Sequence, residues 1–281
     1  MANKLEPEWN RLEKERLSRA NRKNAIGQGH PYFGNFNDML LLLILYTRTN
    51  CGNVLLGLIL GMTEKAVIEL SQKLLPLLQD NFVPKTKLNR KRRGTINTLD
   101  DLIAAYPEIA DVIVDGISVK TRRPKRKQGK NYSGKNKRHE KKSVIVVNSK
   151  DGLILGRTNL RPGSVHDKRV LDEDNLHKYL DKNHNLVKRA DSAWTGESAA
   201  HGWLVNERGR RNHPLTDKQK KNNKRLSRTR IVVEHAIRRI KIFRRIGETA
   251  YFRTQAKLDS VFNVAINLAN FKQIMRFSVG A

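Results

Sequence analysis

The sequence predicts an α/β protein that begins with an all-α unit. Three observations carry this: helical apolar spacing over residues 37–80, a switch after Pro107 to short β-branched runs, and the return of helical spacing near Arg228. Four segments follow, namely a charged N-terminal arm over 1–36, a helix-turn-helix unit over 37–84, a basic linker over 85–97 and an α/β domain over 98–281.

In the arm, Trp9, Leu12 and Leu17 are the few apolar points in a charged, helix-compatible stretch. Met39 to Tyr46 is apolar all round and predicts a buried helix, and residues 54–60 form a second short apolar piece closed by Gly61. Thr63 stands at an N-cap position before Val67, Ile68, Leu70, Leu74, Leu75 and Leu78, with Pro76 expected to bend the last turn. Three helices joined by short Gly-containing turns are what a helix-turn-helix needs. Its recognition helix is expected at 63–79, offering Lys65, Gln72 and Lys73 to DNA, although the apolar face equally suits a dimer interface.

The basic linker is nearly free of apolar residues, and Thr98 opens a short helix to Ala105. Strands are expected at 111–118, 143–147 and 152–160, the last two joined by an Asp151-Gly152 hairpin turn. A helix over 167–180, a strand over 186–190, a long helix over 228–243 and an apolar helix over 261–274 complete the pattern.

Composition narrows the function. The 281 residues hold 56 Lys and Arg against 27 Asp and Glu, a formal charge of +29, which calls for a polyanionic partner. The apolar run at 39–46 is too short for a membrane span of roughly 20 residues, and the first residues lack an apolar signal core. A cytoplasmic, nucleoid-associated protein is expected, or a nuclear one in a eukaryotic host. The single Cys51 excludes an internal disulfide and anchors no zinc site. Aromatics at 6% are few for base stacking on single strands, so duplex DNA fits better.

Phosphodiester chemistry on DNA commonly uses carboxylates that hold two divalent ions, so acids at strand ends and on a facing helix are the candidates. Asp115 follows the run Val112-Ile113-Val114 and precedes Gly116; it reads as a metal ligand or as a turn aspartate. Asp191 ends the strand over 186–190, and a helix cap is its alternative. Glu234 lies on one helical stripe with Arg230, Arg238 and Lys241, a single acid among bases, where a salt-bridged surface helix is the competing reading. Asp167, after His166, competes for the second carboxylate role, with N-capping as its plainer reading; His166 supports a site water or makes an ordinary loop hydrogen bond.

Five runs in order now matter: Val114-Asp115-Gly116, the stretch 132–139 with Lys135, Lys137 and Arg138, Arg161 to Asp167, Ala190 to Trp194, and 223–234 with Lys241. Together they resemble a DDE transposase, more narrowly the insertion-sequence transposases related to the Harbinger group. The resemblance covers residues 98–247, and the helical segment 37–80 matches the N-terminal helix-turn-helix such proteins carry. It departs at Ser227 and Trp194, where related groups carry Tyr.

The resemblance implies an RNase H-like fold, a mixed sheet flanked by helices, in which Asp115, Asp191 and Glu234 bind two Mg²⁺, with Mn²⁺ able to substitute. It also implies that Arg230 and Lys241 contact phosphates at the element ends. The implied activity is transposition by a homodimer or larger assembly, which cleaves at terminal inverted repeats and joins 3′-hydroxyls to target DNA without a nucleotide cofactor. The alternatives are a metal-dependent endonuclease that only cuts and a transposase-derived repressor. The tract 120–142, with 12 Lys and Arg and one Glu, is expected as a flexible loop on DNA beside the site.

Overall fold

In the computed structural model, residues 1–21, 34–80, 110–174, 186–191, 202–252 and 254–279 are described, with isolated positions between them. The expected linker over 85–97 and the helix from Thr98 to Ala105 lie outside these residues.

The N-terminal part is helical: α1 (Ala2–Leu17), α2 (Phe36–Arg48), α3 (Asn53–Leu60) and α4 (Glu64–Asp80). A capping box starts α2, since the Asn35 side chain accepts the Asp38 N–H while the Asp38 carboxylate accepts the Asn35 N–H. Gly61 ends α3 in the left-handed region at φ 64, a conformation cheap only for glycine. The first helix is more than a charged arm: Leu5 is fully buried and Trp9 nearly so, packed with the helices that follow.

The sheet is built from β1 (Asp111–Lys120), β2 (Tyr132–Ser133), β3 (Arg138–Asn148), β4 (Ile154–Arg157), β5 (Arg161–Pro162), β6 (Val187–Ala190) and β7 (Leu204–Val205). Its order is β2-β3-β1-β6-β7, with β4 and β5 also paired to β3. β1 runs antiparallel to β3 and parallel to β6, and β6 runs parallel to β7, so the sheet is mixed. Short helices α5 (Gln128–Asn131), α6 (Asp167–Glu173) and α8 (Arg244–Gly247) accompany two long ones, α7 (Asp217–Lys241) and α9 (Gln255–Val279).

Strand alternation divides the core in two. Val112 and Val114 of β1 join Val144, Val146, Val170, Leu171 and the stacked pair Trp194–Trp203 on one face. Ile113, Ile117 and Val119 join Val233, Ala236 and Ile240 of α7, α9 and the N-terminal helices on the other. The α1–α4 unit therefore has no core of its own; it shares a continuous one with the sheet.

A buried cation fastens the two parts. The Arg245 guanidinium donates to the Tyr46 and Cys51 carbonyls and lies 3.8 Å from the Tyr46 ring centroid. At the far edge, β4 would expose unpaired backbone, but Asn270 of α9 accepts the Ile154 N–H at 2.9 Å and donates to the Ile154 carbonyl at 2.8 Å.

Several expectations are revised. α7 begins at Asp217 rather than near Arg228, because Thr216 and Gln219 form a capping box. The described part of the helix after His166 ends at Glu173. The tract 120–142 is an ordered hairpin, not a flexible loop: β1 continues to Lys120, and β2 and β3 pair across the turn at 134–137. Its lone acid explains this. Glu140 is fully buried and accepts from Asn136 Nδ2 at 2.9 Å and from Arg138 Nε at 2.9 Å. Burial opposes its ionisation, but hydrogen bonds from Arg138, Asn136 and Ser133 outweigh that and hold its pKa below the usual range.

Candidate active site

The register of two parallel strands assembles the site. Val114 pairs with Ala190, so Asp115 and Asp191 occupy the next positions side by side. Both share side-chain parity with Ile113, which faces α7. From α7, Arg230 reaches between them: its Nη1 lies 3.1 Å from Asp191 Oδ1 and its Nη2 lies 3.7 Å from Asp115 Oδ2. The first distance is a hydrogen bond; the second is an ion contact. Asp115 Oδ1 also accepts its neighbour Gly116 N–H at 2.7 Å.

Burial dominates the electrostatics of Asp115. It raises the Asp115 pKa, against the opposing pull of the Gly116 amide and Arg230, while Asp191 and Asp167 push in the same direction as burial. Two carboxylates presenting hard oxygen donors toward one cationic group are a donor set suited to Mg²⁺ or Mn²⁺. Glu234 lies one turn beyond Arg230 on the same stripe and is exposed. Among the described residues, no three acidic, His or Cys side chains converge closely enough to hold a metal ion. The structure thus brings together Asp115, Asp191 and Arg230, and leaves Glu234 outside the cluster.

Asp167 does not cap its helix. His166 does so, its Nδ1 accepting the Lys168 N–H at 3.3 Å. The Asp167 carboxylate instead pairs with Lys142 Nζ at 3.4 Å and packs on Gly116, where a Cβ would stand 3.1 Å from Asp167 Oδ2. Gly116 matters because it lacks a side chain at this approach.

Lys241 lies at the C-terminal end of the α7 stripe. Desolvation first and the Arg138 cation second lower its pKa, with Glu140 and Asp115 opposing. Arg138 is engaged by Glu140 and donates to Ser118 Oγ at 3.2 Å. Lys135 and Lys137 are exposed in the β2–β3 turn, Lys137 with φ 50, and Arg238 is exposed on α7. Lys65 is exposed on α4 and contacts Glu69 at 3.9 Å, while Lys73 is half-buried.

Sequence reasoning missed the N-terminal half of α7, where Lys218, Lys220, Lys221, Lys224, Arg225 and Arg228 are exposed. At 1.5 Å per residue this cationic rod extends about 20 Å from Arg230. The Thr216–Gln219 capping pair is the signal that marks its start. Also missed was the Arg189–Asp111 pair at 2.6 Å, which ties β6 to β1 beside the site.

A family model described as DDE superfamily endonuclease matches residues 114–270, more than half of the chain. The probable transposase for insertion sequence element IS702 of Microchaete diplosiphon is 28% identical over 211 residues, covering 73% of this chain and 70% of its own length. The Mos1 transposase paired-end complex with left transposon end is 13% identical with a TM-score of 0.27, covering 95% of this chain and 83% of that one. The Mos1 strand transfer complex is 14% identical with a TM-score of 0.26, covering 97% and 84%.

Proposed function

Since the chain belongs to the DDE superfamily endonucleases, we propose that it is the transposase of an insertion sequence, acting on the ends of its element and joining them to target DNA. The observation that carries this reading is the parallel register that sets Asp115 beside Asp191 with Arg230 between them. An RNase H-like domain over 98–281 is the accompanying fold, supported by the mixed sheet with helices on both faces.

Asp115 and Asp191 would hold divalent metal, with Glu234 as the third carboxylate. The metal, when bound, supplies Lewis acidity toward the scissile phosphate. The protein's own groups bind and orient the nucleic acid. Arg230 and Lys241, at opposite ends of the α7 stripe, contact phosphates, and Arg138 and Arg238 line the approach. Lys135 and Lys137 at the hairpin turn and the cationic rod of α7 carry the duplex past the site. Lys142 positions Asp167, and His166 fixes the start of α6, so both support the wall on the opposite sheet face.

The N-terminal helices act as the DNA-reading unit, through Lys65 and Lys73 on α4. Assembly of two copies is supported by α3, whose Val54, Leu55, Leu58 and Ile59 are exposed within a stretch, 49–63, that has no charged residue. Two chains of +29 approach each other most easily through such a surface.

The deciding experiment incubates the protein with labelled element ends, a plasmid target and Mg²⁺. Joined products are expected, and they disappear with Asp115→Asn or Asp191→Asn. Cut ends without joining would establish an endonuclease instead, and bound but unreacted DNA a repressor.

A further inference from the structure

Arg230 occupies an unusual position for a group expected to hold DNA. Its guanidinium makes one hydrogen bond to Asp191 and one longer ion contact to Asp115, and its Nε is buried with no hydrogen-bond partner. It is held by the two carboxylates but not locked in a fully satisfied network. The side chains of Arg230 and Asp115 are each about one-fifth exposed, at 20% and 21%, so their attraction is only partly screened by water.

We infer that Arg230 is an internal counter-ion that competes with divalent metal for Asp115 and Asp191, and that a DNA phosphate releases it. This rests on the metal and DNA reading given above. One guanidinium cannot neutralise the two aspartates and a phosphate with the same donors. When a phosphate draws the guanidinium away, the carboxylate oxygens facing it become available to a cation. When metal takes those oxygens, the guanidinium is left to the phosphate. Metal affinity and DNA affinity therefore rise together, and the coupling is reciprocal by thermodynamic necessity. The free protein is thereby restrained from loading metal before DNA is in place.

The test measures Mn²⁺ affinity by electron paramagnetic resonance at constant ionic strength, with and without a short duplex, using Asp115→Asn with the same duplex as the blank for metal held by DNA. In the wild type, duplex is expected to tighten Mn²⁺ binding by about tenfold, a coupling of about 1.4 kcal/mol. Arg230→Gln should tighten Mn²⁺ binding to the free protein by a similar factor and reduce the duplex effect to less than threefold. Arg230→Lys, which keeps the charge in the fold, should fall between.

Equal or weaker Mn²⁺ binding by free Arg230→Gln, or an unchanged duplex effect in it, overturns the counter-ion role while leaving the metal site standing. If neither wild type nor Arg230→Gln binds more Mn²⁺ than Asp115→Asn, the metal reading of the site falls as well.

Discussion

Replacing Arg245 with Met removes the fastening between the N-terminal helices and the segment that follows α7, at nearly constant volume. Arg245 is 7% exposed and donates to two backbone carbonyls, those of Tyr46 and Cys51. Hydrogen bonds from a charged donor are worth about 1.5–3 kcal/mol each, and a desolvated cation–π contact about 2 kcal/mol. Against this stands the desolvation cost of a buried guanidinium, several kcal/mol, which Met does not incur. Burial lowers the Arg245 pKa, in keeping with that cost. The net loss expected is about 2–3 kcal/mol, or about 0.7–1 M in urea midpoint for a slope of about 3 kcal/mol/M. Tryptophan fluorescence is the assay: Trp9 reports on the N-terminal helices, and Trp194 and Trp203 report on the far face of the sheet. Because the helices share the core of the sheet, both signals should shift together. A midpoint within 0.2 M of wild type, on the order of 0.5 kcal/mol, or a shift confined to Trp9, would refute the shared-core reasoning.

Glu140→Gln should destabilise the cationic hairpin at neutral pH by about 1–2 kcal/mol, since Arg138 loses its charged partner while its own side chain, 38% exposed, keeps contact with water. The folded pKa of Glu140 is depressed, so its stabilisation is present above the ordinary glutamate pKa of about 4.3 and lost as pH falls below it. Urea midpoints of wild type and variant should therefore converge in acid; a gap that persists at low pH sinks the assignment. Gly163→Ala places a Cβ 2.7 Å from the Glu140 carbonyl oxygen and 2.9 Å from that of Asn131, and should cost about 1–3 kcal/mol in thermal or urea unfolding. Replacing Lys218, Lys221 and Lys224 with Gln should reduce the salt slope of duplex binding by about 0.9 for each phosphate no longer neutralised, and an unaltered slope would remove the rod of α7 from the DNA path. Leu58→Glu on α3 should shift a sedimenting dimer to monomer without changing the far-UV spectrum, whereas an unchanged mass would exclude that surface.

Much of the architecture was legible locally. The run Val112-Ile113-Val114 demanded a buried strand, the Asp151-Gly152 turn sits where the hairpin expectation placed it with Gly152 at φ 71, and Gly61 closes its helix. The sheet with flanking helices followed from those periodicities. Element starts were less legible where polar residues did the work: α7 gains its first eleven residues from a capping pair, not from apolar spacing. The ordered hairpin was hidden because twelve cations read as a flexible loop on DNA, while the one buried acid that organises them is a single letter.

By itself, the sequence determined the charge, the alternation of elements, the candidacy of Asp115 after a buried strand run and of Asp191 after a strand end, and the helical stripe that bears Arg230, Glu234 and Lys241. These depend on composition and on periods of two and 3.6 residues, which are local properties. Only the tertiary structure decided that Asp115 and Asp191 sit side by side, that Arg230 bridges them, that Asp167 turns to Lys142, and that the N-terminal helices share the core of the sheet. Those facts depend on strand register and on pairings between residues far apart in the chain, where a shift of one position would turn each acid to the other face.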